Sequence, residues 1–366
     1  MCLPDMKHSS NRELGIELLR LVSMFMIVSQ HVLSASGGGG VLRLTEPFSV
    51  NWWIAWIWET VALQAVNCFG LVSGYALYDK KWNIKSYFQF WITVFAMNAI
   101  LYTAMRFLNY HAYNPAEIIW KSIPWNSSLW YVDAYLGLLL IMPAINVIIN
   151  EWWDRWELYF ALAVIILVPL VYKVDYFITS KGYSTLWLAV LYIMGGVLHR
   201  LFKEKHYHCR FYLLILIEII ATTGVLFTKV IPEYNSMIAT GSYEEYRIWH
   251  IYSSPFALLQ SICTLLIFSL LQLRARRWFV LVSQAAFGIF VIHHNPIIDV
   301  RFIYSKSNGF VSLPPLQMTL KTFELVCLVF IASLLLSIPL TIATNHLSKS
   351  IVNECEKLIK KRKNSL

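Results

Sequence analysis

Three residues in one apolar stretch, Glu17, Arg20 and His31 of ELLRLVSMFMIVSQH, have the types and the spacing to do chemistry together. Read as a helix, positions 20 and 31 fall about 20° apart in azimuth and about 16 Å apart along the axis. Glu17 precedes Arg20 by three positions, a spacing at which helical side chains meet. One face of one hydrophobic helix would then hold an ion pair at one level and an imidazole roughly half a bilayer away. Ionisable groups inside a membrane are expensive and rarely idle. An imidazole is the usual base for removing a hydroxyl proton near neutral pH. A guanidinium is permanently charged and grips phosphate or polarises a carbonyl. Glu17 would orient Arg20 and offset its charge. On the residues alone, a structural hydrogen bond at His31 and a packing ion pair at Glu17 and Arg20 stay open beside the chemical reading.

The elements that must position these groups are membrane helices. Of the 366 residues 58% are hydrophobic and only 14% charged, against about 25% charged in a soluble domain; the mean hydropathy is +0.56. The apolar residues recur in blocks of about twenty, the length that crosses a bilayer. This predicts an all-α polytopic transmembrane helical bundle of about ten spans. They fall near 15–35, 52–78, 86–108, 129–149, 157–173, 184–202, 211–231, 253–273, 278–298 and 322–347. Residues 1–348 form one membrane domain and 349–366 a basic tail. The net charge of +9 does not indicate a nucleic-acid partner, because all of the 30 Lys and Arg residues except Arg20 sit in loops, at helix ends or in the tail. Their larger share falls on the side shared by both termini, which predicts cytoplasmic termini. No cleavable signal peptide is expected. The six cysteines form no C-x-x-C, so neither a disulfide framework nor a metal site is expected. The glycine run Gly37 to Gly40 should end the first span, and Trp52, Trp53, Trp56 and Trp58 should form an interfacial belt.

Four motifs stand in order along the chain. Glu17, Arg20 and, after ten residues, His31 resemble the D-x-x-R-x10-H signature of the first helix of the acyltransferase-3 family of membrane acyltransferases, with a glutamate replacing the aspartate. FGLVSGYAL at 69–77 resembles that family's F-x-x-S-G-[FY] stretch, with Ser73, Gly74 and Tyr75 in place. LWYVDAYLGLLLIMP at 129–143 resembles its Trp-Tyr/Phe helix ending in proline, and SQAAFGIFVIHH at 283–294 its late serine-to-histidine segment, with His293 in register. Many members carry R-x-x-R after the S-G-[FY] stretch, where this chain has Asp79, Lys80, Lys81 and Lys85. Lysine is a point charge and cannot make arginine's bidentate contact to phosphate.

The resemblance implies an O-acetyltransferase-like enzyme in the cell membrane, of the kind found in bacterial cytoplasmic membranes. It would move an acyl group, usually acetyl from acetyl-CoA, to a hydroxyl of a glycan or lipid-linked saccharide. His31 would be the base, with an acyl-histidine intermediate as the covalent variant. Arg20 would anchor the donor or its thioester, and Lys80 and Lys81 would attract the nucleotide. Trp130 and Tyr131 could stack on a sugar or adenine, and His293 would contribute to substrate binding. Ser73 and Gly74 are equally readable as a small-residue helix contact, and Lys80 and Lys81 as topology determinants. The expected partners are the acceptor glycan, membrane lipids and, as an open alternative, an extracytoplasmic protein that completes the transfer. A glycan transporter or flippase could use the same intramembrane charges. Glu59, Asp133 and Glu218 are further acids within spans.

Overall fold

The computed structural model describes residues 13–35, 39–80, 83–126, 129–172, 175, 177–205, 209–247, 249–271 and 276–363. Cys2, Gly37, Gly38 and Lys81 lie outside the described residues. Among those described, the chain is helical and forms no strand. The principal helices are α1 (Leu14–Ser34), α2 (Val50–Ala62), α3 (Ala65–Leu77), α4 (Ile84–Phe107), α5 (Trp130–Trp152) and α6 (Trp156–Tyr172). They continue with α7 (Thr185–His199), α8 (Phe211–Thr240), α9 (Pro255–Ser269), α10 (Arg277–Gln284), α11 (Ala286–His293) and α12 (Pro315–Lys363).

Each segment expected from the sequence is met by a helix, so the polytopic all-α bundle is the architecture. Among the described residues, seven helical segments are long and apolar enough to cross a membrane, or eight if Arg277–His293 and Pro296–Phe310, bent by 66°, are one broken span. The other two segments are α6 and α9, of 17 and 15 residues. They rise only about 26 and 23 Å, short of a hydrocarbon core of about 30 Å. Residues 349–363 continue α12 as helix, giving 49 residues in one element.

The centre of the bundle is α3. Every residue from Ala65 to Tyr75 is buried, as suits AVNCFGLVSGY, which is small or apolar all round. It packs against α7, α9 and α1. Two glycines make the contact with α7 a backbone contact. A Cβ on Gly74 would meet the carbonyl oxygen of Tyr192 at 1.9 Å, and one on Gly195 would meet that of Leu71 at 2.1 Å. Close backbone approach is how helices gain attraction where lipid is as apolar as the side chains. By contrast, only 17% of the most apolar window of α8 is buried, and Leu213, Leu216, Ile219, Ile220 and Ile231 lie exposed on the bundle's outer surface.

α1 ends where the backbone leaves the helix at Ala35 (φ 34°). Gly40 then takes the left-handed region (φ 79°) to start the short helix Val41–Leu44. The tryptophan belt is corrected in part. Trp52 and Trp56 are each only 1% exposed and belong to the core. Spaced four apart they share a helix face, and that face packs on Leu33, Val41 and Leu42 rather than on headgroups.

Gly74→Val should force α3 and α7 apart. Overpacking costs about 1–3 kcal/mol even when side chains can yield, and here the obstacle is backbone. The detergent-solubilised protein should melt several degrees lower, whereas Gly309→Ala, with nothing within 4 Å of the new Cβ, should melt as wild type.

Candidate active site

α1 places its ionisable groups at two levels. Near its start, Arg20 Nη1 donates to Glu17 Oε1 at 2.6 Å, and both residues are buried. Ser283 of α10 donates its hydroxyl to Glu17 Oε2. The carboxylate is thus shared between the guanidinium and a neighbouring helix, while Arg20 Nε is buried without a partner. The same end of the bundle gathers cations. Lys203 pairs with Glu13, just before α1, at 3.1 Å. Lys85 pairs with Glu356, and Lys80 is exposed beyond the end of α3.

Near the other end, His31 Nδ1 lies 2.8 Å from His293 Nε2. His293 is fully buried, and its Nδ1 lies 2.6 Å from the carbonyl oxygen of Ile289, one turn back on α11. A carbonyl only accepts, so His293 Nδ1 carries a proton. In neutral His293 the Nε2 is then bare and accepts, which makes His31 Nδ1 the donor. The neutral His31 that results keeps its lone pair on Nε2. The backbone of α11 therefore fixes, through one intermediate imidazole, which nitrogen of His31 can take a proton. Aromatic rings hold the pair from the sides. His294 stacks on His31 with centroids 4.6 Å apart, and Phe290 stands 6.4 Å from His31.

Beyond Phe290 the aromatic wall continues to α5. Tyr131 lies 6.3 Å from Phe290, and Trp130 lies 4.5 Å from Tyr183. Trp130 and Tyr131 therefore share one wall with His31. His293 joins them through its contact with His31. The S-G-Y stretch does not join them. Ser73 donates its hydroxyl to the Phe69 carbonyl at 2.9 Å, and Gly74 is a helix contact. Tyr75 stands edge-on to His199, with centroids 4.7 Å apart, among the groups near Glu13. Ser73, Gly74 and Tyr75 thus belong to the bundle's centre and to the Arg20 end.

Three participants are missed by spacing alone. His294 is a stacking partner of His31. Gln30, beside His31, donates to Glu59 at 3.0 Å. Phe290 forms the wall between α1 and α5. The usable signal was the pairing rule for membrane interiors: an acid at 59 within an apolar span demands a partner.

The family model described as "Acyltransferase domain" matches residues 13–342, nearly the whole chain. The protein belongs to this acyltransferase-3 family: it is a multi-pass membrane acyltransferase that transfers groups other than amino-acyl groups. No curated protein and no solved structure matches it.

His293→Leu should remove the acceptor for His31 Nδ1–H and lower acyl-transfer turnover about 10- to 100-fold, the usual effect of losing a partner that orients a functional imidazole. His293→Gln, whose amide oxygen can accept the same bond, should recover part of it. Turnover of the two variants at equal amounts of folded protein separates orientation from packing.

Proposed function

We propose that the enzyme takes an acyl group, in the simplest case acetyl, from a cytosolic acyl-CoA and places it on a hydroxyl of a cell-surface or lipid-linked glycan. The observation that carries this reading is the bare Nε2 of His31, held by His293 and the Ile289 carbonyl. Acyl transfer to an alcohol needs a base at the hydroxyl and no other redox or hydrolytic partner. His31 Nε2 takes the hydroxyl proton as the oxygen attacks the thioester carbonyl carbon. The C–S bond of the resulting tetrahedral adduct then breaks. The leaving thiolate receives the proton from His31, which restores the starting tautomer. The new imidazolium is stabilised by His293 Nε2, which accepts from its Nδ1–H throughout.

Arg20 has a different task. About 16 Å of helix separates it from His31, so one carbonyl cannot touch both. That span suits a coenzyme A whose thioester lies at His31 and whose phosphates lie at the Arg20 end. The buried, unpartnered Nε–H of Arg20 is a donor left open for an anionic group there. The excess of cations on the same side as both termini supports a cytosolic position for this end.

His31→Ala should lower free thiol release from acetyl-CoA at least about 100-fold, within the range for loss of a general base. The assay is thiol titration with purified protein and membrane glycan. Unchanged release would end the proposal. Surface polymer vanishing from cells, rather than losing its acyl groups, would favour export of the glycan instead. Arg20→Lys keeps the charge beside Glu17 but loses the fork geometry. It should raise KM for acetyl-CoA about tenfold and change kcat less, as initial rates over a range of donor concentrations would show.

A further inference from the structure

The end of the bundle that holds His31 contains a second polar cluster. Glu59 of α2 is 5% exposed. Its Oε1 accepts from Gln30, the residue next to His31, at 3.0 Å, while its Oε2 is buried without a partner. Lys229 and Arg247 lie within electrostatic reach, but each is already engaged. Lys229 pairs with Glu233 and lies over the Trp56 ring, 3.4 Å from its centroid. Arg247 pairs with Glu245. Two donors close by are also buried and unused: Arg247 Nη2 and Trp56 Nε1. Buried polar atoms are almost always satisfied. With Glu233 Oε2 and the Nδ1 of His250, whose ring lies 5.3 Å from Trp56, also buried and unpartnered, these open acceptors and donors are a set suited to a hydroxylated molecule.

The aromatic wall of the active site closes on this cluster. Trp130 is in contact with Tyr183 and Tyr252, 4.5 and 6.2 Å away, and both tyrosines lie within electrostatic reach of Glu59. Two routes therefore join His31 to Glu59. One runs along α1 through Gln30. The other runs from Phe290 through Tyr131 and Trp130 to Tyr183. A carboxyl oxygen, a guanidinium N–H and aromatic faces form the set that grips a sugar ring, the polar atoms binding its hydroxyls and the aromatic faces its C–H face.

We propose that Glu59, with Arg247 and Trp130, binds the acceptor as a neutral polyhydroxylated ring and presents one hydroxyl to His31. This rests on the acyl-transfer reading above and adds the residues that hold the acceptor and its lack of charge. Neutrality follows from the pairing. Both neighbouring cations already have carboxylates, so an anionic sugar would meet Glu59 without a free counter-charge.

The test uses the full chain with the Glu59→Gln and Glu59→Ala variants. One measurement is the O-acetyl content of surface polysaccharide from cells expressing each protein at equal membrane level. The other is the rise in melting temperature that acetyl-CoA gives the detergent-solubilised protein. Both variants should lower glycan acetylation at least tenfold while acetyl-CoA stabilises them as it does wild type. Acetylation within twofold of wild type would overturn the acceptor site and leave the transferase reading standing. Loss of the acetyl-CoA response in the isosteric Glu59→Gln would also overturn it, because Glu59 would then serve the fold or the donor. A wild-type protein that neither responds to acetyl-CoA nor acetylates glycan would bring down the transferase reading itself.

Discussion

A polar group in hydrocarbon has no water to turn to, so it must find its partner in the protein. That constraint fixes α1 in this bundle. Apolar helix surfaces slide over one another at little cost in lipid, but hydrogen bonds have one register. α1 is held by such bonds at successive levels. Glu17 is tied to Ser283 on α10, Gln30 to Glu59 on α2 and His31 to His293 on α11. The carbonyl of Val32 accepts from Ser307 at 2.7 Å. The groups that could do chemistry are therefore also the groups that set the helix in place.

The arrangement divides labour along one rigid rod. An α-helix does not stretch, so the separation of ion pair and imidazole is as fixed as a covalent spacer. Segment 283–293 runs beside α1 in the same direction, supporting Glu17 with its first residue and His31 with its last. Behind α1, the glycine-mediated contact of α3 with α7 gives a stiff core. α8, largely lipid-facing, contributes the Lys229–Glu233 pair at the His31 end. Rigidity near the reacting groups and looser packing outside them suit a site that must keep one tautomer while large substrates come and go.

Much of this was legible in the sequence. Hydropathy located each of the ten apolar segments but not the short helices between them, such as Pro115–Ser122, because a span must be apolar over its length whatever it packs against. The Arg20–His31 spacing followed from helical geometry alone, and the order of motifs gave the family. What the sequence hid were choices among equally apolar faces. Nothing in Trp52 and Trp56 says whether an indole meets headgroups or protein. Nothing in two adjacent histidines says which lies under His31 and which beside it. Gly74 reads equally as a ligand approach or a helix crossing, since both need the missing Cβ. Such questions are settled by the element on the other side, which lies more than a hundred residues away for Gly74 and about two hundred and sixty for His31.

The last helix adds a mechanical element. α12 rests against α1 where Phe330 meets Phe25, with centroids 5.4 Å apart, and its Ser337 donates to the carbonyl of Ala285 at 2.5 Å. Ala285 is one turn before Ile289, whose carbonyl orients His293. From Ser337 the helix runs on for about 39 Å to Lys363, braced on α4 by Ser348 with Thr93 and by Glu356 with Lys85. The Ser337 bond thus sits one helical turn from the carbonyl that orients the His31–His293 pair. A load on the C-terminal end, from lipid or from another protein, would arrive at the imidazoles as torque.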